Sequence, residues 1–575
     1  MTVSINYETF LTKDPLDNYE DEAKYTKEWL PKVEKYRKDL ADAIPKEYTT
    51  QLPQPIDQLI HDQFNAVDYL YKEKLLTPEE FAITDLSTVD LVGKIASGEL
   101  TSVEVFKAYA HRAILAHQFT NCAQQIFIDE GLKQAEERDA YFKKHGKTVG
   151  PLHGVPISLK EQMNYAGKIT HGGYVSKIVH IPENHGVSTG ILEKLGAVFY
   201  VRTSQPQTLM HLDSGNSFTG FSKCPFNLLL SSGGSSSGEG SIVGFGGSAI
   251  GVGSDIGGSI RAPAAYSGCH GFRPTTRRIS TKGGISSGAG QESVPAVVGP
   301  LARSIEDLDL WMKAYINEGK PWEHDAWAIP LPWREVGAPK ISDLTIAVIR
   351  DDGLVRVTPP IRRGLDEVVN KLKQAGAKII EFDPPNTKLA YDTVNKLYDC
   401  DGNYMQRKLL AESGEPLQKL TKWNLNYGDG AKEYTVSENR KLNVIRDQLR
   451  DEYNQYFIEN KVDFILSPTY NNVAPHSAEV YNWSYTALWN ILDLPTLAFQ
   501  TGLYQDPTID KWTEEELNYK YRSPLEQLEN ENYHEEQFIG APIALQLTGR
   551  RYFDEEVVAA GKSIVDILGV DLFKH

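Results

Sequence analysis

The segment SSGGSSSGEGSIVGFGGSAIGVGSDIGGS, residues 231–259, decides how the rest of this 575-residue chain is interpreted. Serine and glycine occupy 20 of its 29 positions, a composition that is also typical of flexible linkers. Apolar side chains are not expected in a solvated linker, yet Ile242, Phe245 and Ala249 occur here at the spacing of one helix face. We therefore predict that the segment is folded.

Two serine-glycine clusters in this segment have the composition of a hydrolytic site. Ser259 follows Ile256, Gly257 and Gly258, and a run with two glycines can bend until its backbone N–H groups converge on one point. Amide cleavage needs a nucleophile and donors for the oxyanion, and such a turn can supply both. The other cluster, GGSSSGE at 233–239, places Ser235 within the same segment.

A base is also required, and neither cluster contains a histidine. Lysine is the other known partner of a nucleophilic serine. Lys160 directly follows the apolar run VPISL at 155–159, and apolar surroundings lower the pKa of a lysine until its neutral amine can accept a proton. From these residues alone, an ordinary surface lysine after a strand is an equally good interpretation.

Apolar segments elsewhere alternate between strand and helix patterns, which favours an α/β fold with a sheet covered by helices on both faces. The predicted strands include 343–353, 462–468 and 541–549, and 361–382 reads as a helix, a glycine stop and a strand.

The chain is predicted to contain one large catalytic domain preceded by a helical extension. Residues 1–85 are charged and mostly helical in pattern, and we assign them to the extension. Residues 86–575 contain no linker long enough to divide them, and they form the predicted catalytic domain. Within it, 86–117 reads as two amphipathic helices that meet at Gly98.

Three motifs resemble those of the amidase signature family: GVPISLKE at 154–161, GGSSSGEG at 233–240 and GSDIGGSIRAP at 253–263. The separations also fit, because Ser259 lies 24 residues after Ser235 and 99 residues after Lys160. The resemblance extends over roughly residues 90–575 and implies a large mixed β-sheet and amide hydrolysis.

The resemblance also implies a role for individual residues. Ser259 is the acylated nucleophile, Ser235 is a relay serine that follows a cis peptide bond, and Lys160 is the base. Leu209 matches a position whose backbone lines the substrate pocket. The oxyanion is expected to bind the backbone N–H groups of Ile256, Gly257, Gly258 and Ser259.

Three departures from the family pattern affect no catalytic atom. Ser237 replaces a glycine, Glu161 replaces an aspartate, and the segment RTSQP at 202–206 replaces K-T-N-x-P. We expect them to change at most the shape of the pocket.

The segments 43–53 and 83–122 resemble the fungal acetamidase and general amidase branch, which implies small carboxamides as substrates. Lipid or aryl amides remain open, as does the role of glutamine-hydrolysing subunit in an amidotransferase. A binding module without activity is disfavoured because all three catalytic side chains are present. Gly244 to Ala249 also fits the dinucleotide pattern G-x-G-x-x-A, a weak match inside a segment that is already explained.

Charge and composition define the expected surroundings of the protein. The net charge of −17 disfavours nucleic acid as a partner, and no histidine or cysteine cluster indicates a metal or other cofactor. No apolar stretch reaches about 18 residues, so no membrane span is expected. Four scattered cysteines and the lack of a secretory signal predict a cytoplasmic protein. A homodimer is compatible with the sequence, and the expected ligand is a small-molecule amide.

Overall fold

An 11-stranded mixed β-sheet forms the centre of the fold. The computed structural model describes residues 20–574 except 287, 429 and 431, so the first 19 residues of the predicted extension lie outside the described residues. The strands are β1 Ala123–Ile126, β2 Pro156–Lys160, β3 Val198–Thr203, β4 Lys223–Cys224, β5 Asn227–Ser231, β6 Ile250–Asp255, β7 His270–Arg273, β8 Val297–Ala302, β9 Thr345–Val348, β10 Lys378–Glu381, β11 Phe464–Pro468, β12 Thr496–Tyr504 and β13 Pro542–Thr548.

The order of the strands confirms the predicted mixed sheet. It runs β1-β3-β2-β6-β8-β7-β12-β13-β11-β9-β10, and β4 and β5 form a separate hairpin. β2 lies parallel to both β3 and β6, whereas β8, β7, β12 and β13 are joined by antiparallel pairings. The parallel arrangement places the ends of β2 and β6 at the same edge of the sheet, and these two strands lead to the predicted base and nucleophile.

The helices account for most of the remaining regular structure. Those of the first half are α1 Glu22–Lys24, α2 Leu30–Asp42, α3 Ile56–His61, α4 Ala66–Lys72, α5 Pro78–Thr84, α6 Thr88–Ser97, α7 Ser102–Thr120, α8 Ile128–His145, α9 Val187–Lys194, α10 Ser237–Phe245 and α11 Arg261–Ser267. Those of the second half are α12 Ile305–Lys313, α13 Pro359–Gln374, α14 Thr387–Tyr398, α15 Tyr404–Ser413, α16 Lys419–Asn426, α17 Val436–Glu459, α18 Ser484–Leu492, α19 Glu514–Leu517, α20 Pro524–Glu531 and α21 Asp554–Leu568.

Helices cover both faces of the sheet, as the sequence predicts. On β13, the side chain of Ile543 packs against Gly364 of α13, while Gln546 accepts a hydrogen bond from Arg261 of α11 at 3.1 Å. Side chains three positions apart on a strand point to opposite faces. The helices α13 and α11 therefore lie on opposite sides of the same strand.

The two helices predicted around Gly98 are confirmed as α6 and α7. Ser87 caps α6 by accepting a hydrogen bond from the N–H of Asp90, and Gly98 ends the helix with φ at 77°. Thr101 then starts α7 with a capping box that includes Glu104.

The serine-glycine segment is folded rather than a linker, since each of residues 231–259 except Ser254 and Ile256 is buried. Its apolar residues form α10, but the helix ends at Phe245, so the predicted continuation of its face to Ala249 is wrong. The reason is Gly246, which adopts a left-handed conformation as the C-cap. At Gly244 a Cβ would lie 1.8 Å from the carbonyl oxygen of Ser267, so α10 packs against the end of α11 at a distance that only glycine allows.

The described part of the N-terminal extension packs onto the rest of the chain. Leu40, Leu59 and Leu70 belong to the same apolar core as the buried residues of the sheet and of α21. Tyr36 of α2 contacts the rings of His171 and Phe218 in an edge-on arrangement. The division of the chain at residue 85 stays a prediction.

Candidate active site

Lys160 and Ser235 form the most direct contact in the candidate site. Lys160 ends β2 and is completely buried, and its Nζ donates a hydrogen bond to the Oγ of Ser235 at 2.7 Å. A second bond from Nζ reaches Ser254 Oγ at 2.9 Å, and that hydroxyl donates in turn to Gln162. Ser254 belongs to the GSD motif, but it is not among the residues predicted for the site.

Ser235 and Ser259 lie on two adjacent loops. Ser235 lies between β5 and α10, and Ser259 lies between β6 and α11. The loops are joined where the N–H of Ser236 donates to the carbonyl of Ser259 at 3.1 Å. The peptide bond between Gly234 and Ser235 is cis. Ser235 is 2% exposed and Ser259 is 4% exposed, so both predicted catalytic serines lie at the bottom of a buried site.

Burial sets the electrostatics of Lys160. Removal from water disfavours the charged ammonium form and lowers the pKa of Lys160 to about 7, although Asp255 and Glu239 act in the opposite direction. Glu239 is itself buried, and burial raises the pKa of its carboxyl to about 8 while hydrogen bonds from Ser158 and Thr203 oppose the rise. A substantial fraction of Lys160 is therefore neutral near pH 7 and has a free lone pair.

Asp255 holds in place the loop of residues 256–260, which contains the predicted nucleophile Ser259. Its carboxylate accepts hydrogen bonds from the N–H groups of Gly258 at 2.9 Å and Ile260 at 3.1 Å, and it forms a buried ion pair with Arg261 at 3.1 Å. Burial alone would raise the pKa of Asp255, but Arg261 and Asn490 hold this pKa below its usual range. The loop is thus anchored by an ionised carboxylate.

This anchoring changes the expected set of oxyanion donors. The N–H of Gly258 donates to Asp255, so it is not open to an oxyanion, contrary to the prediction. The N–H groups of Ile256, Gly257 and Ser259 have no acceptor within residues 20–574 as described. Three of the four predicted donors therefore remain open. Gly258 has φ at +129° and a Cβ there would lie 2.4 Å from Thr486, so its role is to shape the loop.

Two hydroxyl groups that the motifs do not include fix the peptide planes of this loop. Tyr398, at the end of α14, donates to the carbonyl of Ile256 at 2.5 Å, and Thr486 of α18 donates to the carbonyl of Gly257 at 2.6 Å. In a trans peptide the carbonyl and the following N–H point in opposite directions. The hydroxyl of Tyr398 therefore fixes the direction of the N–H of Gly257.

We expect Tyr398→Phe to lower kcat about tenfold with little change in KM, because one oxyanion donor loses its orientation while substrate contacts remain. Steady-state kinetics on an amide substrate would measure this. Tyr453→Phe is the matched control, since the hydroxyl of Tyr453 donates to the carbonyl of Pro385 at 3.0 Å, in another part of the fold. Equal kcat values for the parent protein and Tyr398→Phe would show that the hydroxyl does not orient the donor.

A small cavity opens beside Ser259, and we call it the Ser259 cavity. It brings together four residues that are predicted to bind the substrate or its oxyanion, namely Leu209, Ile256, Gly257 and Ser259. The complete lining consists of Leu209, Met210, His211, Leu212, Ile256, Gly257, Ser259, Tyr398 and Trp483. Leu209 and Thr208 both adopt a left-handed conformation, with φ at 68° and 64°. Apart from His211 and the oxyanion loop, the lining is mainly apolar or aromatic.

A larger cleft of about 660 Å³ is lined in part by Ser254, and we call it the Ser254 cleft. Its lining includes Ser254 and Gln162, the pair that is hydrogen-bonded to the lysine, together with residues from 277–296 and 325–328. The Ser254 cleft therefore adjoins a hydrogen-bonding partner of Lys160, and it shares no lining residue with the Ser259 cavity. Within the residues that the structure describes, no group of three or more His, Cys, Asp or Glu side chains is arranged to hold a metal ion.

Comparisons with known proteins place these features in context. The chain is 38% identical to "Acetamidase" of Emericella nidulans over 545 residues, which covers 93% of this chain and 97% of the relative. It is 36% identical to "Acetamidase" of Aspergillus oryzae over 521 residues, which covers 88% and 94%. A solved structure of a "Fatty acid amide hydrolase" is 80% identical, with a TM-score of 0.98, and the match covers 99% of this chain and all of that one.

The similarity to a fatty acid amide hydrolase contradicts the predicted cytoplasmic location, which is therefore wrong. A long acyl chain gains about 0.8 kcal/mol for each methylene that leaves water, so fatty acid amides reside in membranes rather than in the aqueous cytoplasm. Cysteine spacing and N-terminal composition carry no information on this point. Among the helices of the described residues, none combines the length and the apolar character that a membrane crossing requires.

The family itself follows from the remaining comparison. The family model described as "Amidase" matches residues 104–558, a range that contains the lysine motif, both serine-glycine clusters and most of the sheet. The acetamidase relatives extend the similarity over nearly the whole chain. The chain is a hydrolase that acts on amides, and it belongs to the amidase signature family.

Proposed function

We propose that this protein hydrolyses fatty acid amides through an acyl-enzyme on Ser259, with Ser235 as proton relay and Lys160 as base. The observation that supports the chemistry most directly is the 2.7 Å hydrogen bond between Lys160 and Ser235 in a fully buried setting. The substrate class is supported by the 80% identity to a fatty acid amide hydrolase.

In the first half of the proposed reaction, Ser259 Oγ attacks the carbonyl carbon of the amide. Its proton passes to Ser235, whose own proton passes to the neutral amine of Lys160. The carbonyl oxygen becomes an oxyanion and binds the open N–H groups of the Ile256–Ser259 loop. The loop is held by Asp255, Tyr398 and Thr486 before substrate arrives, so these donors need no reorganisation.

Collapse of the intermediate breaks the C–N bond, and the proton on Lys160 returns through Ser235 to the leaving nitrogen. Ammonia or an amine departs, and the acyl group stays on Ser259. Water then attacks the ester with the same relay in the same order, which releases the carboxylate and restores both serines. We assign the Ser254 cleft to the leaving group and to water, because Ser254 lines it and accepts a hydrogen bond from Lys160.

Small carboxamides are the second candidate substrates, and the two acetamidase relatives favour them. Those relatives are 36–38% identical, whereas the fatty acid amide hydrolase is 80% identical. We rank the lipid amides first for this reason. A glutamine-hydrolysing subunit would depend on a partner and on ATP, and it is the least favoured alternative.

The purified protein, without ATP and with EDTA present, is expected to release ammonia from dodecanamide with a kcat/KM at least about 100-fold above that for acetamide. Burial of four methylenes already contributes about 3 kcal/mol, which corresponds to this ratio. Ammonia release at several substrate concentrations below the solubility limit would measure both values.

Glutamine and Ser259→Ala complete the design of this experiment. Glutamine should be a poor substrate, and the variant should be inactive on both amides. A higher kcat/KM for acetamide than for dodecanamide would support the small-amide candidate instead. Activity with glutamine alone, and only after a second subunit is added, would overturn amide hydrolysis by the free protein.

A further inference from the structure

A buried carboxyl group that the reaction does not use lies behind the Ser259 cavity. Glu415 occupies the loop between α15 and α16 and is completely buried. Its carboxyl accepts four hydrogen bonds from three separate segments of the chain. The donors are the N–H of Val175 at 2.8 Å, Gln207 Nε2 at 2.7 Å, Ser217 Oγ at 2.8 Å and Ser413 Oγ at 3.3 Å.

Gln207 connects this carboxyl group to the wall of the cavity. Besides its bond to Glu415, the side-chain amide donates to the carbonyl of Pro416 at 3.1 Å and accepts from the N–H of Gln418 at 2.9 Å. The loop that follows α15 therefore holds Gln207 through both ends of its amide. Gln207 is the first residue of a 3₁₀ turn that continues through Thr208 to Leu209.

The turn from Gln207 to Leu209 needs such support. Thr208 and Leu209 adopt φ values of 64° and 68°, a region that residues with a Cβ rarely occupy, and two of them are consecutive. Backbone of this kind persists where its surroundings hold it. Leu209 and the next three residues supply nearly half of the lining of the Ser259 cavity. The conformation of the turn thus determines the shape of that wall.

The N-terminal segment supports the same loop from its other side. Asp21 donates its N–H to the carbonyl of Gly414 at 3.0 Å, and the carboxylate of Glu20 accepts from the N–H of Leu417 at 2.7 Å. Lys24 donates to the carbonyl of Ala411 at 3.2 Å. A Cβ on Gly414 would lie 2.7 Å from the Cβ of Asp21, so the two segments are in close contact.

We propose that Glu415 is a positioning residue for substrate binding: it holds the Gln207–Leu209 turn, and residues 20–24 of the N-terminal extension brace the loop that carries it. The extension thereby acquires a function in the active site. The inference rests on the proposed function in one respect, namely that the Ser259 cavity binds the substrate.

Glu415→Gln is the decisive variant, because it keeps the size of the side chain but turns one of its two acceptors into a donor. The Gln207–Leu209 turn should then lose its fixed conformation. As a result, KM for dodecanamide should rise about tenfold while kcat changes less than about threefold. The labelling rate of Ser259 with a small alkyl fluorophosphonate should stay within about threefold of the parent rate, because neither catalytic serine nor Lys160 contacts Glu415.

Asp307→Asn is the matched control for loss of a buried carboxylate. Asp307 lies on α12 and accepts from the N–H of Val89 at 3.0 Å, and none of its hydrogen bonds in the described residues reaches the lining of the cavity. Its KM should equal that of the parent even if its melting temperature falls. Ser217→Ala is a milder variant that removes one donor to Glu415, and its KM should rise about threefold. This variant tests the proposal if Glu415→Gln does not fold.

A folded Glu415→Gln protein with the KM of the parent would overturn the proposal, and so would an equal rise of KM in Asp307→Asn. The proposed function can fail separately. If the parent hydrolyses acetamide but not dodecanamide, the lipid-amide assignment is wrong, while the KM for acetamide still tests the role of Glu415.

Discussion

Ser259→Ala is expected to lower kcat for amide hydrolysis by about four orders of magnitude or more, the loss seen when a catalytic serine is removed from other hydrolases. The Oγ atom of Ser259 becomes acylated in the proposed mechanism, and no other nucleophile replaces it in the Ser259 cavity. The melting temperature should change little, because alanine fits in the space of serine.

Covalent labelling identifies the nucleophile independently of turnover. A fluorophosphonate should modify the parent protein at one site, and peptide mapping should place it at Ser259. Ser237→Ala is the matched control, because Ser237 belongs to the same serine-rich segment and donates only to the carbonyl of Asp213 at 3.3 Å. Modification at Ser235 in the parent protein would contradict the assignment of roles.

Lys160→Met should lower kcat/KM by at least about a thousandfold and remove its dependence on pH below neutrality. In the parent, protonation of the amine removes the base, so kcat/KM should fall as the pH drops below the pKa of Lys160, about 7. Rates measured from pH 5 to 9 should therefore rise tenfold per unit at the acidic end and level off near neutrality.

Lys223→Met provides the control for a second buried lysine. Burial also lowers the pKa of Lys223, whose Nζ donates to Ser477 at 2.9 Å rather than to a catalytic serine. This variant should keep the acidic limb of the pH profile. A Lys160→Met protein with an unchanged limb and near-normal turnover would exclude the lysine as the base.

Sequence patterns predict the parts of this site that are encoded locally. The apolar run in GVPISLKE predicts a strand that ends at the candidate base. The strand β2 ends at Lys160 because the apolar run stops there. The serine-glycine clusters likewise place Ser235 and Ser259 on loops, because glycine-rich turns connect β5 to α10 and β6 to α11. The alternation of strands and helices predicts the mixed sheet in the same way.

Local sequence patterns do not predict contacts between distant segments. Tyr398 and Thr486 lie 142 and 229 residues from the carbonyls that they bind, and no local motif surrounds either of them. The engaged N–H of Gly258 depends on where the carboxylate of Asp255 points, which the folded loop decides. Glu415 reads in the sequence as one more charged loop residue, although it is completely buried. The length of the preferred substrate stays a prediction, because the Ser259 cavity is assembled from separate loops that no local pattern describes.

The anchoring of Arg261 has a consequence for the synthesis of the protein. Its guanidinium donates to Asn490 at 2.6 Å and to Gln546 at 3.1 Å, besides its ion pair with Asp255. Lys160, Ser235 and Ser259 are all synthesised by residue 259, whereas Asn490 and Gln546 follow 231 and 287 residues later. We expect the nascent chain to have no amide hydrolase activity until β13, which carries Gln546, has been synthesised. The amide-cleaving site is thus expected to be complete only after β13 has been made.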